Sequence, residues 1–486
     1  MPLDRRRRTR RPALLASSQR RESEGPAGLS CRHQDLQETP AQPEQDVMTE
    51  TAQRGTKTRR FTLPSLRWWM FGFFVLVMVI NYIDRASLSI AMPLIGKEFH
   101  LTPAVEGLLL SAFGWTYTLM QLPGGWLVDK IKPRKIVTGS LIGWGIAEAL
   151  TGLATGVTAL FGMRMLLGVF EGPVQNGANT SLTRWLRRSE RARGSTLVDG
   201  GGPLGTALGG LLITGLIIGL GTWRLAFGVV GLITVLIGVI AWLFMRDNPA
   251  AHPLIRDKER EYLAAIDTEV APAEKRTAAD YLRSRSTWLL LAAFFGYDAV
   301  VYGLLTWAPS YVSQQQHVST ALIGAWTFVI FGVGFVGEIF AGQLADRLIR
   351  RGAKPNRVLR WMLGIAGFGV AVAILLVNVV GSPIAALILI SAANFFLRWG
   401  GLYWAVPARI AHPGDVGKIS GAMNFSGNVA GILMPILIGL IVQATSSFAV
   451  VFVVFAVAGV IMALSSIGIH YGDSPEVPAP ATLAEG

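Results

Sequence analysis

The sequence has a single cysteine and few charged residues, and both shortages limit what the protein can be. Because Cys31 is the only cysteine, the chain cannot form an intrachain disulfide. The six histidines are scattered, and no phosphate-binding loop, metal-ligand spacing or nucleophile constellation is found. We therefore expect no enzyme, no metal site and no cofactor. Charged residues make up 15% of the 486 residues and hydrophobic ones 51%, which is too apolar for an ordinary soluble protein.

The sequence has instead many apolar runs of about 20 residues, each long enough to cross a hydrocarbon core of about 30 Å. They predict an all-α membrane protein with twelve transmembrane helices. The predicted spans lie near 68–92, 103–128, 134–154, 158–181, 193–218, 223–245, 286–312, 321–345, 356–379, 382–407, 415–443 and 447–470.

A polar stretch between the sixth and seventh spans divides the predicted spans into two halves. We predict an N-terminal six-helix bundle at 67–245, a cytoplasmic central loop at 246–285 and a C-terminal six-helix bundle at 286–470. A disordered basic tail is predicted at 1–66 and a short tail at 471–486. Met48 is an alternative start, which leaves open whether residues 1–47 are translated.

The net charge of +13 comes from basic residues in the N-terminal tail and in alternate short loops, which favours a membrane over nucleic acid as the partner. These loops predict that both termini and the central loop are cytoplasmic, in a plasma (inner) membrane protein that we expect to be a monomer. The basic residues concerned are Lys130, Lys132, Arg134, Lys135, Arg184, Arg187, Arg188, Arg191, Arg193, Arg347, Arg350, Arg351, Lys354, Arg357 and Arg360.

Two similar loops occupy the same place in each half: "GGWLVDKIKPRK" (124–135) and "GQLADRLIRRGAKPNR" (342–357). Each has a glycine four residues before an aspartate that a basic residue follows. This repeat predicts a duplicated six-span unit. It resembles the loop signature of the major facilitator superfamily, which implies two pseudo-symmetric six-helix bundles around a midplane site. The resemblance marks Gly125, Asp129, Lys130, Gly342, Asp346 and Arg347 as gating-loop residues.

Four ionisable residues stand inside apolar spans of the first half: Asp84 and Arg85 in the first span, and Arg164 and Glu171 in the fourth. Each charge at the bilayer centre costs roughly 2.5–3.5 kcal/mol on insertion scales, so these residues are expected to line a wet cavity or to pair. Asp84 and Arg85 differ by about 100° around their helix, so a broad cavity could be lined by both. Structural ion pairs are the alternative reading.

Several motifs are similar to those of the anion:cation symporter family: "NYIDRASLS", "SAFGWTYTLMQLPGGWLVD", "RMLLGVFEGP", "YGLLTWAPSY" and "GLYWAVPARIAHPGDVGKISGAMNFSGNVAGILMPILIGLI". The resemblance implies that Asp84 and Glu171 carry protons, that Arg85 holds the substrate carboxylate, and that Arg164 pairs with Glu171 in one protonation state. It further implies a set of substrate-binding residues: Tyr82, Tyr117, Gln121, Tyr302, Trp307, Trp404, Asn424 and Asn428.

Alternatives remain for several of these residues. Trp307 and Trp404 are equally well explained as packing aromatics, and Asn424 and Asn428 as helix-contact residues. In the second half, Arg398 is either a second anion anchor or the charge partner of Asp298 or Glu338. The roles of Glu148 and Asp199 are open.

The resemblance implies proton-coupled symport of a small organic anion, a sugar acid such as galactonate, glucarate or a hexuronate, by alternating access. Alternatives are a symporter of aromatic or other carboxylates of the phthalate type, a proton-coupled efflux transporter, and a sensor that signals through its tail or central loop. The expected partners are the anion, protons and the lipid bilayer.

Overall fold

The structure is a computed structural model that describes residues 65–187, 194, 198–264, 278–316, 318–412 and 415–471. The predicted N-terminal tail, the start of the fifth span and the C-terminal tail after residue 471 lie outside the described residues. Everything described in secondary structure is helical.

The first half runs from α1 to α7. Its helices are α1 (Leu66–Glu98), α2 (Pro103–Ile131), α3 (Pro133–Thr151), α4 (Val157–Glu171), α5 (Val174–Trp185), α6 (Gly201–Leu220) and α7 (Trp223–Phe244). Helices α4 and α5 together form the fourth span, and Gly172 and Pro173 separate them.

The second half has the same order of spans. Between the halves lie a short 3-10 helix (Pro249–Ala251), α8 (Asp257–Ala264) and α9 (Ala278–Leu282). The helices of the second half are α10 (Arg285–Gln314), α11 (Thr320–Arg350), α12 (Pro355–Val377), α13 (Pro383–Leu397), α14 (Pro407–Ile410), α15 (Val416–Thr445) and α16 (Ala449–Gly468). A 3-10 segment, Arg398–Ala405, joins α13 to α14 within the tenth span.

The membrane class is confirmed, because ten helical segments of the described chain are long and apolar enough to cross a bilayer. The second and third spans, α2 and α3, complete the predicted twelve. Both pack on α4 of the first half, and α2 also contacts α15 of the second half. Many large apolar side chains face outward, such as Leu232, Leu236 and Leu243 on α7. In water such a surface would be unfavourable, whereas against lipid it is the expected outer surface.

Prolines set several helix starts. Pro103, Pro133, Pro355 and Pro383 each occupy the first turn of a helix, where the missing N–H costs no hydrogen bond. The spans therefore begin where the sequence places a proline after a polar turn.

The halves meet along two pairs of spans that glycines allow to approach closely. A Cβ at Gly107 of α2 would overlap the Pro435 carbonyl of α15, and one at Gly439 would overlap the Pro103 carbonyl. On the other side of the interface, Gly210 of α6 faces Gly324 of α11 in the same way. We call the side of the molecule that holds Pro103 and Gly439 the opposite face, and the side with Lys130, Lys132, Arg134, Arg347 and Arg350 the basic face. The two halves are thus closely packed towards the opposite face.

The central region, predicted as a polar loop, contains helices and is tied to both halves. Glu259 of α8 accepts the backbone N–H groups of Leu66 (2.8 Å) and Arg67 (3.1 Å), which satisfies donors at the start of α1. On α9, the Tyr281 hydroxyl donates to Asp415 Oδ2 at 3.0 Å. Helix α8 is therefore anchored on the first half and α9 on the second.

Candidate functional site

A small cavity lies between the two halves, at the level where the sequence places charges inside spans. Its volume of about 40 Å³ has room for a few waters. The lining residues are Arg85, Leu88, Leu110, Phe113, Gly114, Tyr117, Arg164, Tyr302, Leu305, Thr306, Asn428 and Gly431. Two arginines therefore reach the interface between the halves.

Arg85 forms an ion pair with Glu171 while it also lines the cavity. Its Nε lies 2.7 Å from Glu171 Oε1, and its Nη2 contacts the same oxygen. The exposed fraction is 6% for the arginine side chain and 0% for the glutamate. Glu171 thus occupies two N–H donors of Arg85, which a bound substrate carboxylate would also need.

Three aromatic rings surround the Arg85 guanidinium. Its central carbon lies 4.9 Å from the ring centre of Tyr82, 4.8 Å from Phe113 and 4.6 Å from Tyr117. Each contact is of cation–π type, which favours keeping the charge between these rings. The three rings are thus a second set of contacts to the guanidinium, in addition to Glu171.

Arg164 pairs with Glu148, whereas the family resemblance implied Glu171. The Nη2 atom of Arg164 is 3.4 Å from Glu148 Oε2 and 3.3 Å from the Ser87 hydroxyl, which lies 2.5 Å from Glu148 Oε1. Arg164 and Glu171 stand about 10 Å apart along one helix axis, so neighbouring spans supply their partners instead. Arg85 pairs with Glu171, and Glu148 pairs with Arg164.

Asp84 faces the interior of the first half rather than the cavity. Its Oδ2 accepts hydrogen bonds from Trp144 Nε1 at 2.7 Å and from Thr234 Oγ1 at 3.3 Å, and the residue is fully buried. The expectation that Asp84 and Arg85 both line a broad cavity is therefore wrong for this structure. The 100° step between them is enough to turn one side chain to the cavity and the other away from it.

The second half contributes polar groups across the cavity. The Tyr302 hydroxyl donates to Asn428 Oδ1 at 3.5 Å, and both residues line the cavity. Asn424 Nδ2 donates to Gln121 Oε1 at 2.8 Å, a bond between the two halves on the basic-face side of the cavity. Gln121 and Asn424 thus close the cavity towards the basic face, whereas the glycine contacts close it towards the opposite face.

The two tryptophans do not line the cavity in this structure. Trp307 is 2% exposed, donates from Nε1 to the Pro435 carbonyl at 3.1 Å and packs against Phe448. Trp404 is 39% exposed and makes an edge contact with Phe294. Both contacts match the packing alternative.

The repeated loop motifs lie at the basic-face ends of α2 and α11. Their charged side chains are exposed: Asp129, Lys130, Asp346 and Arg347. Gly125 and Gly342 are partly exposed, and a Cβ at either would meet open space. Their gating role stays a prediction.

Sequence reasoning found Glu148 but gave it no partner, and it did not identify Ser87, Trp144 or Thr234. The only signal for Glu148 was a carboxylate inside an apolar span. Ser87, Trp144 and Thr234 carry no charge, so nothing in their sequence context marks them as partners of buried ions.

Helices long enough to span a bilayer, arranged as two halves around a cavity lined by arginines, define a membrane transporter. The model of the Major Facilitator Superfamily matches residues 74–435, and the chain belongs to this family. It is therefore a membrane transporter and not an enzyme.

Similar proteins include the hexuronate transporter of Bacillus subtilis, 28% identical over 84% of this chain and 95% of that protein. The probable galactarate/D-glucarate transporter GarP of Escherichia coli K12 is 31% identical over 80% of this chain and 91% of its own length. Among solved structures, a bacterial homologue of the human lysosomal transporter Spinster, in an inward-facing and occupied conformation, matches with a TM-score of 0.64. That match covers 83% of this chain and 96% of the other at 18% identity, so it supports the fold alone.

Proposed function

We propose that the protein is a proton-coupled symporter that carries a small organic anion, a sugar acid, inward across a plasma (inner) membrane by alternating access. In this proposal both termini are cytoplasmic and the basic face is the cytoplasmic side. One observation carries the proposal: the Arg85 guanidinium lines the cavity between the halves while Glu171 occupies its donors.

Electrical work explains why such a carrier needs acids beside its arginines. Moving one negative charge into a negative-inside cell costs about 2.3 kcal/mol per 100 mV. One proton carried with a monoanion cancels this cost. Arginine is suited to holding the anion, because it stays charged and presents two donors to a carboxylate.

Competition for Arg85 couples the proton to the substrate. While Glu171 is ionised it takes the donors of Arg85, and a substrate carboxylate would have to displace it. Protonation of Glu171 removes this competitor, and the rings of Tyr82, Phe113 and Tyr117 keep the freed guanidinium at the cavity. The substrate is then favoured only when a proton is present.

Asp84 is proposed as the second proton carrier, which acts from behind the cavity. Its carboxylate lies among Trp144 and Thr234, while its backbone carbonyl is 3.4 Å from Arg164 Nη1. A change in its charge would therefore act on the Arg164–Glu148 pair rather than on the substrate directly.

Alternating access follows from the way the halves meet. Close glycine contacts between the halves seal the opposite face. Towards the basic face, the hydrogen bond between Gln121 and Asn424 joins the halves over a smaller contact. Breaking that bond would open the site to the basic face. The sugar-acid class is supported by the relatives, which are named for hexuronate and for galactarate and D-glucarate.

The test is uptake into proteoliposomes with an imposed pH gradient, screened over galactonate, glucarate, glucuronate and aromatic carboxylates. Glu171→Gln should abolish proton-driven accumulation and leave exchange of labelled for unlabelled anion measurable. Glu98→Gln, a charge removal at the exposed pair with Arg224, is the matched control and should accumulate like the wild type. Normal proton-driven accumulation by Glu171→Gln would refute the coupling role, and uptake of aromatic carboxylates alone would favour the phthalate-type alternative.

A further inference from the structure

A buried arginine in the second half stands apart from the ion pairs described above. Arg398 is 6% exposed, and its Nε is sealed from solvent without a hydrogen-bond partner. Among the described residues, no acceptor or carboxylate lies within hydrogen-bonding distance of its guanidinium. A guanidinium carries five N–H donors. The one on Nε is sealed from solvent here, and a sealed donor without an acceptor is costly.

The fold positions this side chain at a break in the tenth span. Arg398 is the first residue of the 3-10 segment that interrupts α13 and α14. Gly334 of α11 gives its stem room, since a Cβ at that glycine would stand 3.1 Å from Arg398 Cγ. Interrupted spans of this kind form substrate sites in transporters.

Charge balance with neighbouring acids does not explain Arg398. Glu338, Asp199 and Asp298 interact with it electrostatically, but among the described residues none of them forms an ion pair with it. A charge at longer range offsets the electrostatic cost of the cation but accepts none of its hydrogen bonds. The end of α13 offers a favourable dipole, which likewise leaves the donors unfilled.

Arg398 and Arg85 interact with the same groups at the interface of the halves. The Tyr82 hydroxyl interacts electrostatically with both guanidinium groups, and so does Asp298. Arg85 belongs to the first half and Arg398 to the second, so an elongated ligand bound between the halves would have one arginine on each side.

We propose that Arg398 is a second anion receptor, and that the substrate is a dianion whose two acidic ends bind Arg85 and Arg398. This inference rests on the proposed function and narrows it from organic anions to dicarboxylates. A dianion needs two protons for electroneutral entry, which agrees with two proton carriers, Asp84 and Glu171. It also explains how binding draws the halves together, since each half holds one end of the ligand.

The experiment compares two acids with the same six-carbon chain: glucarate, with two carboxylates, and gluconate, with one. Binding to the purified full-length chain is measured by titration calorimetry. The wild type should bind glucarate about 10-fold or more tighter than gluconate. Arg398→Gln should weaken glucarate binding by about 10- to 100-fold and leave gluconate binding within about 2-fold. Arg398→Lys should bind glucarate with an affinity between those of the wild type and Arg398→Gln. Arg224→Gln, which removes an exposed arginine at the opposite face, should bind both acids like the wild type.

The outcomes separate this inference from the proposed function. Equal wild-type affinities for the two acids would overturn the inference even if Arg398→Gln does not fold, and so would an equal loss of both acids in Arg398→Gln. Gluconate binding without a preference for glucarate leaves the proposed function standing. Failure of the wild type to bind or transport either acid would count against the proposed sugar-acid function itself.

Discussion

The buried pair between Arg164 and Glu148 gives a sharp test of the electrostatic account of the site. We consider the substitution Glu148→Gln, which keeps the shape of the side chain and its contact with Ser87 but removes the charge. Arg164 is 2% exposed and Glu148 is fully buried, so the cation would be left without its carboxylate partner at a site that bulk solvent hardly reaches.

The size of the effect follows from burial. Removing one member of a buried ion pair costs about 3–5 kcal/mol. For 486 residues, an unfolding entropy of about 2.1 cal/mol/K per residue makes each kcal/mol worth about 1 °C in Tm. We therefore expect Glu148→Gln to lower the Tm by about 3–5 °C.

The assay is thermal unfolding in detergent, followed by the fluorescence of the 14 tryptophans. Glu98→Gln is the matched control, because the Glu98–Arg224 pair is 41% and 33% exposed and is worth about 0–1 kcal/mol. The double variant Glu148→Leu with Arg164→Met removes both charges and should recover most of the lost stability. If Glu148→Gln melts with the control, Glu148 is already neutral and the buried ion pair is wrongly assigned.

Two further predictions concern the contact between the halves and the central region. Gly107→Ala should overpack the contact with Pro435 at a cost of about 1–3 kcal/mol, so a cysteine placed in the cavity should become labelled from the opposite face. Gly139→Ala, which has open space around it, is the control and should leave the labelling unchanged. Equal labelling in the two variants would contradict the packing argument. Burial lowers the pKa of His252, although the hydrogen bond to the Phe244 carbonyl acts in the opposite direction. The buried neutral imidazole therefore contributes its full stabilisation above about pH 6.5, and this stabilisation is lost as the pH falls through the lowered pKa of the folded state. Acidification should therefore speed proteolysis of the central region in the wild type more than in His252→Gln, and identical cleavage rates would show that His252 is not involved.

The sequence was sufficient for the class of fold, because hydrophobic length and the repeated loop motif report directly on membrane spans and on duplication. It also marked the interior ions, since charge inside an apolar run is conspicuous. It could not assign their partners. Spacing fixes geometry only within one helix, whereas the pairing of Arg85 with Glu171 and of Arg164 with Glu148 depends on the heights and rotations of three different spans.

The same limit explains the misplaced Asp84 and the two tryptophans. Which side of a helix faces the cavity depends on how the helix is rotated against its neighbours, and that rotation is set by many weak contacts. The motif resemblance predicts a cavity position for Trp307, yet in the structure its indole N–H donates to the Pro435 carbonyl. A buried indole needs one acceptor, and any nearby carbonyl can supply it.

The anchoring of the central helices shortens the stretch of chain that links the two halves. Because α8 is fixed to one half through Glu259 and α9 to the other through Tyr281, the chain between the two anchored helices is residues 265–277 rather than the whole of 246–285. Fully extended, this connection reaches at most about 45 Å. If the halves separate as the proposed alternating access requires, shortening this connection by a few residues would restrict that separation while leaving every residue of the cavity unchanged.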